Sequence, residues 1–428
     1  MSYSDAPGSS SKLSSGQGQR ISVPDGWKWT DADSRYGDDY RSGPKQDGDA
    51  PLGILTYLEG IKFVGGGLNM LFRPNNVVAG ANTAKFPNPI SPTPPQPPNN
   101  NVLMINLFQE TLTFSTAIAQ GIPNRGFKCQ GDICLSAIMY VQTVNDVTNT
   151  TTGLPDSPCP SPIHAENGMF VHVPATDKDP VVGATINRLG SIPHGVSINL
   201  QGLEQTAVVQ GAPQITPRPN CTTPTRFIQS TDPPEAFPAL VAANDDTARI
   251  PQNLDIFVKT GTITDEIMAD PTTVLRTVNQ SRNILSTLTL TMSTSDQTAN
   301  VPSGGGVTNN AFLAGAAVGK SNASAASVDF TLWIETVGYA VPLPAGTTLK
   351  AGTAVTVPFE GIAYSLTPPK DIVVPAGGQS IPVQVTELQY FQMVVLQFGI
   401  LSWPHPTVST LKPDAWSVDQ GDAAWNGL

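Results

Sequence analysis

The chain has 428 residues, a formal net charge of −11 and only 13% charged residues, far fewer than globular domains usually carry. No basic run offers a footprint for nucleic acid or an anionic membrane surface. No apolar stretch is long enough for a membrane-spanning helix, and the start, Met1-Ser2-Tyr3-Ser4-Asp5, lacks a charged-then-apolar secretion signal.

Abundant Thr, Ser and Asn, with 40 prolines and 38 glycines, favour strands and turns over helices. Four cysteines (Cys129, Cys134, Cys159, Cys221) are few for a secreted chain of this size, so free thiols in a reducing cytoplasm are expected.

Residues 1–48 are Ser-, Gly- and Asp-rich and read as a flexible tail, with Trp27 and Trp29 able to pin part of it. From Leu52 the character turns apolar, interrupted by Gly65-Gly66-Gly67, which suits a bent strand or close backbone approach. A Pro-rich loop covers 87–98.

Period-two alternation then marks half-buried strands. Glu110, Leu112 and Phe114 alternate with Thr111, Thr113 and Ser115, and Ser136, Ile138, Tyr140 and Gln142 with Ala137, Met139 and Val141. In 194–200, His194, Val196, Ile198 and Leu200 share one face.

A Pro-rich stretch at 211–250 reads as a bridge between two halves. Beyond it, Thr264, Asp265 and Glu266 open a predicted helix over 264–280. Leu288, Leu290 and Met292 alternate with threonines, and Val328, Phe330, Leu332 and Ile334 with Asp329, Thr331, Trp333 and Glu335. Leu388–Leu401 is apolar on both faces, as a central strand would be. Residues 412–428 read as an acidic C-terminal tail able to wrap back through Trp416 and Trp425.

The chain has only four histidines, so their settings carry much of its potential chemistry. By parity His194 faces a barrel interior, where an imidazole can ligate haem iron or shuttle a proton. The plainer alternative is a core histidine satisfied by a carbonyl or a serine. His164 and Glu166, two apart on a strand, point to one side, and a carboxylate beside an imidazole can orient it for acid–base catalysis. Arg125, in the turn Pro123-Asn124-Arg125-Gly126, could meet a ligand carboxylate or pair with Glu110 or Asp132. His172 reads as outward-facing, and His405, in Trp403-Pro404-His405-Pro406, as structural or exposed. No G-x-S-x-G elbow, H-E-x-x-H helix or paired cysteine motif supports a hydrolase or zinc reading.

Several segments together resemble a known family. They are Leu58-Glu59-Gly60, Arg73-Pro74, Glu110-Thr111-Leu112-Thr113-Phe114, Ile122-Pro123-Asn124-Arg125-Gly126, Gly131-Asp132-Ile133, His164-Ala165-Glu166-Asn167-Gly168 and Ile192-Pro193-His194-Gly195. The first half resembles calycin-type (lipocalin-like) β-barrels, in particular nitrobindin-like haem-binding proteins. With Trp333-Ile334-Glu335-Thr336 and Leu401-Ser402-Trp403-Pro404-His405, most of 52–411 looks like the longer bacterial and fungal proteins labelled haem-binding. The resemblance implies haem held through its iron by His194, with Arg125 nearby.

The expectation is an all-β chain, with a calycin-like barrel at 52–210 and a second β-barrel or β-sandwich domain at 220–411. It would bind a small hydrophobic or amphipathic ligand such as haem. The rival expectation is a secondary-metabolism enzyme (a lipocalin-like cyclase, isomerase or dehydratase) acting on a lipophilic intermediate through His164 and Glu166. A purely structural role is a third reading.

Overall fold

The computed structural model describes residues 52–74, 101–124, 132–176, 181–218, 225–226, 255–295, 305–313, 323–398 and 401–428, all within one compact unit, Gln46–Leu428. The expected tail over 1–48 and Arg125 lie outside these residues. The chain is all-β, as its alternation implies.

Strands β1 (Lys62–Pro74), β2 (Asn101–Asn124), β3 (Ile133–Asp146), β4 (Ser161–Val173), β5 (Thr185–Ile192) and β6 (Val196–Leu203) form an antiparallel meander. Short β7 (Val209–Gln210) and β8 (Thr225–Arg226) follow, then helices α1 (Asp255–Lys259), α2 (Asp265–Ala269) and α3 (Thr273–Asn279). Next come β9 (Ile284–Ser293), β10 (Gly306–Asn309) and β11 (Ser324–Pro342). The short β12 (Thr348–Leu349), β13 (Val355–Phe359), β14 (Ile362–Leu366) and β15 (Ile372–Val373) precede β16 (Ser380–Phe398), β17 (Leu401–Pro413) and β18 (Ala415–Val418).

β17 pairs with β1, and β9 touches β6 at Ser293–Gln201. Among the described residues, ten strands therefore close a single antiparallel barrel in the order β6-β5-β4-β3-β2-β1-β17-β16-β11-β9. Strands from 52–210 and from 220–411 share this one sheet, where the sequence suggested a barrel and a separate domain. The reason is edge satisfaction. The first meander ends with β1 and β6 unpaired on their outer sides, and the later strands cover both edges and complete the circle.

A second β-lobe does exist, but it grows out of the barrel. The far ends of β11 and β16 pack with the pair β12–β15 and the sheet β13-β14-β18 around their own core of Val341, Tyr364, Leu366, Ile381 and Val418. Residues 412–428 pack onto this lobe, with Trp416 and Trp425 against its core. β18 pairs in parallel with β14, and Trp425 is buried, its indole N–H donating to the Asp419 carbonyl at 2.9 Å.

Alternation fixes which side chains line the barrel. Phe114, Ile138, Phe170, Leu200, Leu290, Leu332 and Leu388 belong to one buried interior cluster. One end of the barrel is stoppered. The 3-10 turn Gly53–Tyr57 sends Ile54 and Leu55, with Leu52 and Leu58, into that cluster. His172 stands at this end, buried rather than outward-facing, 3.2 Å from Glu204 Oε2. Glu204 Oε1 accepts the Ile54 N–H at 2.8 Å, so the pair ties the stopper to the wall. His172 does share its face with Phe170, but that face is the inner one.

The outer face of β1, β2, β11, β16 and β17 is also covered. Leu68, Leu107, Trp333, Phe391 and Val408 pack against Phe257, Met268 and Leu275 from the helices. The predicted helix over 264–280 becomes α2 and α3, broken at Asp270-Pro271 because proline has no N–H to continue the ladder. Thr264 caps α2 as expected, accepting the Ile267 N–H at 3.2 Å.

Just past α3, Arg282 reaches two cross-strand carboxylates, Glu335 at 2.5 Å and Glu387 at 2.7 Å. Tyr339 also donates to Glu387. Burial, opposed by Arg282 and reinforced by Glu387, raises the Glu335 carboxyl to about 7. The ordinary value is 4.5. Between these two values the folded chain holds a proton that the unfolded chain has released. Stability contributed by this group is complete below the lower value and falls as pH rises toward the upper one. Denaturant unfolding at pH 5 and pH 8 checks this. Glu335→Gln should lose less stability than the parent chain on going to pH 8, and an unchanged difference would contradict the assignment.

Candidate functional site

The barrel lumen is spanned at mid-height by a polar network that the sequence analysis did not assemble. Arg188 on β5 is buried, and by strand register it shares the inner face with Phe170 and Leu200. Its Nη2 donates to both oxygens of Glu166 at 2.9 Å, and its Nε donates to Oε1 at 3.1 Å. Nη1 crosses the interior to Gln392 Oε1 on β16 at 2.9 Å. The guanidinium lies over the Phe330 ring, 4.7 Å from its centroid. Tyr140 on β3 donates its hydroxyl to Glu166 Oε1.

A second buried carboxylate, Glu110 on β2, stands beside this group. It accepts from Gln142 Nε2 at 2.6 Å, Tyr390 OH at 2.8 Å and Ser409 Oγ at 2.8 Å. Two inward carboxylates and one inward arginine therefore share the lumen with tyrosine, serine and glutamine donors. Buried charges persist only when paired and hydrogen-bonded in this way.

The two carboxylates differ electrically. Burial would raise Glu166, but the Arg188 charge and hydrogen bonds from His164 and Tyr140 bring it down to about 2. Glu110 has hydrogen-bond donors but no directly bonded cation, so burial dominates and holds its carboxyl above the ordinary value. Burial likewise pushes the Tyr140 hydroxyl up.

Above the network, at the end where β5 turns into β6, three of the four histidines meet. His164 lies on β4, its Nε2 3.4 Å from Glu166 Oε2, with its side chain 23% exposed. His194 has its ring centroid 5.5 Å from that of His164, tilted by 41°. His405 on β17 donates a ring N–H to Asn69 Oδ1 at 2.6 Å. His405 is partly buried, and its burial together with the nearby His164 and His194 lowers it to about 4. Among the described residues, no three His, Cys, Asp or Glu side chains converge as a metal site.

His194 is not on a strand. Ile192 pairs with Val196, and Pro193-His194-Gly195 forms the turn between them, closed by the Gly195 N–H to the Ile192 carbonyl at 3.0 Å. Gly195 has φ of 96°, a conformation glycine adopts without strain. The alternation through Val196, Ile198 and Leu200 is real and inward. It stops at Val196, which leaves His194 exposed at the rim instead of projecting into the lumen. Partial loss of hydration against the rim and the adjacent His164 lower the His194 pKa, partly offset by the Ile163 backbone, so the neutral imidazole is favoured. The exposed ring of Phe312 packs at Gly195 and gives the rim an apolar flank.

Sequence analysis thus named His164 and Glu166 as a pair and His194 separately; the structure brings all three to one end of the barrel. The sequence reading missed Arg188, Tyr140 and Gln392. The available signal was a lone arginine in the apolar register of Thr185-Ile186-Asn187-Arg188-Leu189-Gly190, in phase with Ile186 and Gly190. Cys134 and Cys159 are free thiols.

Comparison with family models, with curated proteins and with solved structures finds no match to this chain. The class of protein is therefore defined by its architecture, a closed ten-strand antiparallel barrel consistent with the calycin type. No helix among the described residues is long and apolar enough to cross a membrane.

Gly190 makes the mid-height network possible. A Cβ there would overlap Glu166 Oε1 and come within 2.7 Å of the Tyr140 hydroxyl. Gly190→Ala should cost about 1–3 kcal/mol of unfolding free energy, the scale of overpacking in a filled core. Denaturant titration measures this, and a neutral substitution would contradict the packing described.

Proposed function

We propose that the chain binds a small hydrophobic or amphipathic molecule at the histidine-bearing end of its barrel. Haem is the candidate ligand, because the sequence segments resemble nitrobindin-like haem-binding proteins and an accessible imidazole stands at this end. The observation carrying this reading is the convergence of His164, His194 and His405 from β4, a tight turn and β17 onto one end, away from the stoppered end. An axial ligand to haem iron must be a neutral imidazole with an accessible nitrogen. His194 is exposed and favours the neutral form, with apolar Phe312 beside it. His164 lies beside that position, its ring centroid 5.5 Å from that of His194, and the Arg188–Glu166 network lies below it. Bound haem would supply an iron centre, while the chain supplies the imidazole and the apolar ring of Phe312 beside it.

A second reading has one specific observation in its favour. The 3.4 Å contact between His164 and Glu166 is that of a proton carrier and its orienting carboxylate. Glu166, held at about 2, would act there as the orienter and not as the base.

Haem titration followed in the Soret region separates the two. The parent chain should give one saturating band, abolished in His194→Ala and kept in His172→Gln at the far end. Binding should persist as pH falls through 6.5, the ordinary imidazole value, because the lowered pKa keeps the ring neutral. No band in the parent chain, or an undiminished band in His194→Ala, would overturn the haem reading. If His164→Gln keeps the band but abolishes turnover of a lipophilic intermediate, the catalytic reading gains.

A further inference from the structure

A second candidate site lies on the opposite side of the barrel wall. A cleft of about 580 Å³ opens where the outer face of β1 and β2 meets the loop after β3 and the helical segment. This volume falls in the range of small-molecule sites.

Its origin is in the sequence. Val64, Gly66 and Leu68 alternate along the outer face of β1, and Gly66 presents no side chain there, so the wall is recessed at that point. The recess is not a place where a side chain is merely missing. A Cβ on Gly66 would run into the Phe108 carbonyl of the paired strand, so the local sheet spacing demands glycine.

The walls are apolar and held in place before anything binds. Leu68 and Leu107 form the floor beside Gly66, and Val147, Leu154 and Val274 stand around it. The loop that carries Val147 and Leu154 is anchored to both β2 and the helical segment. The Val147 N–H donates to the Leu107 carbonyl at 2.9 Å, and Thr262 Oγ1 donates to the Gly153 carbonyl at 2.7 Å. Leu154 is 44% exposed at the mouth, unusual for a leucine whose neighbours Val147 and Leu107 are buried. Among the described residues no lining residue is charged, and the side-chain polar groups are Gln109 and Thr262. A carboxylate, phosphate or ammonium would lose its hydration here without gaining a counter-charge. A neutral ring or short alkyl group would lose nothing and would cover Leu154.

We propose that this cleft binds a small uncharged apolar molecule, an aromatic ring or short alkyl chain, independently of the histidine-bearing end of the barrel. The cleft lies outside the lumen and shares no lining residue with the His164–His194–His405 group.

The test uses the full chain and the neutral dye Nile red, whose emission shifts to the blue on entering an apolar site. The parent chain should bind one equivalent. Val274→Trp, which fills the cleft, should weaken binding by about tenfold or more, a change of roughly 1.4 kcal/mol. Leu154→Arg, at an exposed loop position that leaves the core untouched, should weaken it similarly and serves if the tryptophan variant fails to fold. His194→Ala should bind as the parent does. Absence of dye binding to the parent, parental affinity in Leu154→Arg, or loss of binding in His194→Ala would each overturn the proposal. The last outcome would move the dye to the barrel end.

Discussion

The architecture turns on one buried ion pair, Arg188 with Glu166. Sequestering two charges from water costs several kcal/mol per ion even after relaxation. The barrel offsets this by surrounding the pair. Glu166 receives Arg188 through two nitrogens and Tyr140 through its hydroxyl, while Arg188 also reaches Gln392 on the far wall and lies over Phe330. Because Gln392 belongs to β16, the pair couples a strand of the first meander to one of the last. It works across the lumen as the β1–β17 and β6–β9 pairings work around it. Removing one partner would leave a charge with no route to solvent.

This crossbeam stands between the two ends of the barrel. Below it the lumen is filled by Phe63, Phe114, Ile138, Phe170 and Leu200, and closed by Leu52, Ile54, Leu55 and Leu58. Above it Val196, Ile198 and Leu313 continue the same buried cluster, and three imidazoles stand toward the rim, one of them on an exposed turn. Polar groups at the rim therefore rest on a rigid floor. The outer wall repeats the contrast. The helices bury Trp333 and Phe391, and Arg282 pins Glu335 and Glu387 beneath the segment that follows them, whereas over Gly66 the covering layer leaves a cleft.

Much of this was legible in the sequence because strand alternation is a local property. The alternating sets Glu110-Leu112-Phe114, Ile138-Tyr140-Gln142, Val196-Ile198-Leu200 and Phe330-Leu332-Ile334 could be read directly, and the structure turns each toward the lumen. Closure could not be read, since alternation says which way a side chain points but not which distant strand lies beside it. That strands from both halves meet in one sheet has no local signature for the same reason. His194 was misplaced because the strand pattern was extended two residues into a Pro-His-Gly turn. His172 was given the right face but the wrong direction. Glu335 and Glu387 point outward, as their parity implies, yet they are buried because the helical segment and Arg282 cover them, a tertiary fact with no local signature. Arg188 is the instructive omission. A lone arginine in a strand usually reads as surface, and only its phase with Ile186 and Gly190 marks it as interior.

A double-mutant cycle on Arg188→Met and Glu166→Gln, measured by denaturant unfolding at neutral pH, tests the central claim most directly. If the two residues form the buried crossbeam, each single variant loses about 3–5 kcal/mol and the double variant loses at least about 2 kcal/mol less than the sum. Additive losses would mean that the residues act separately, and the account of a lumen held together at mid-height would fail.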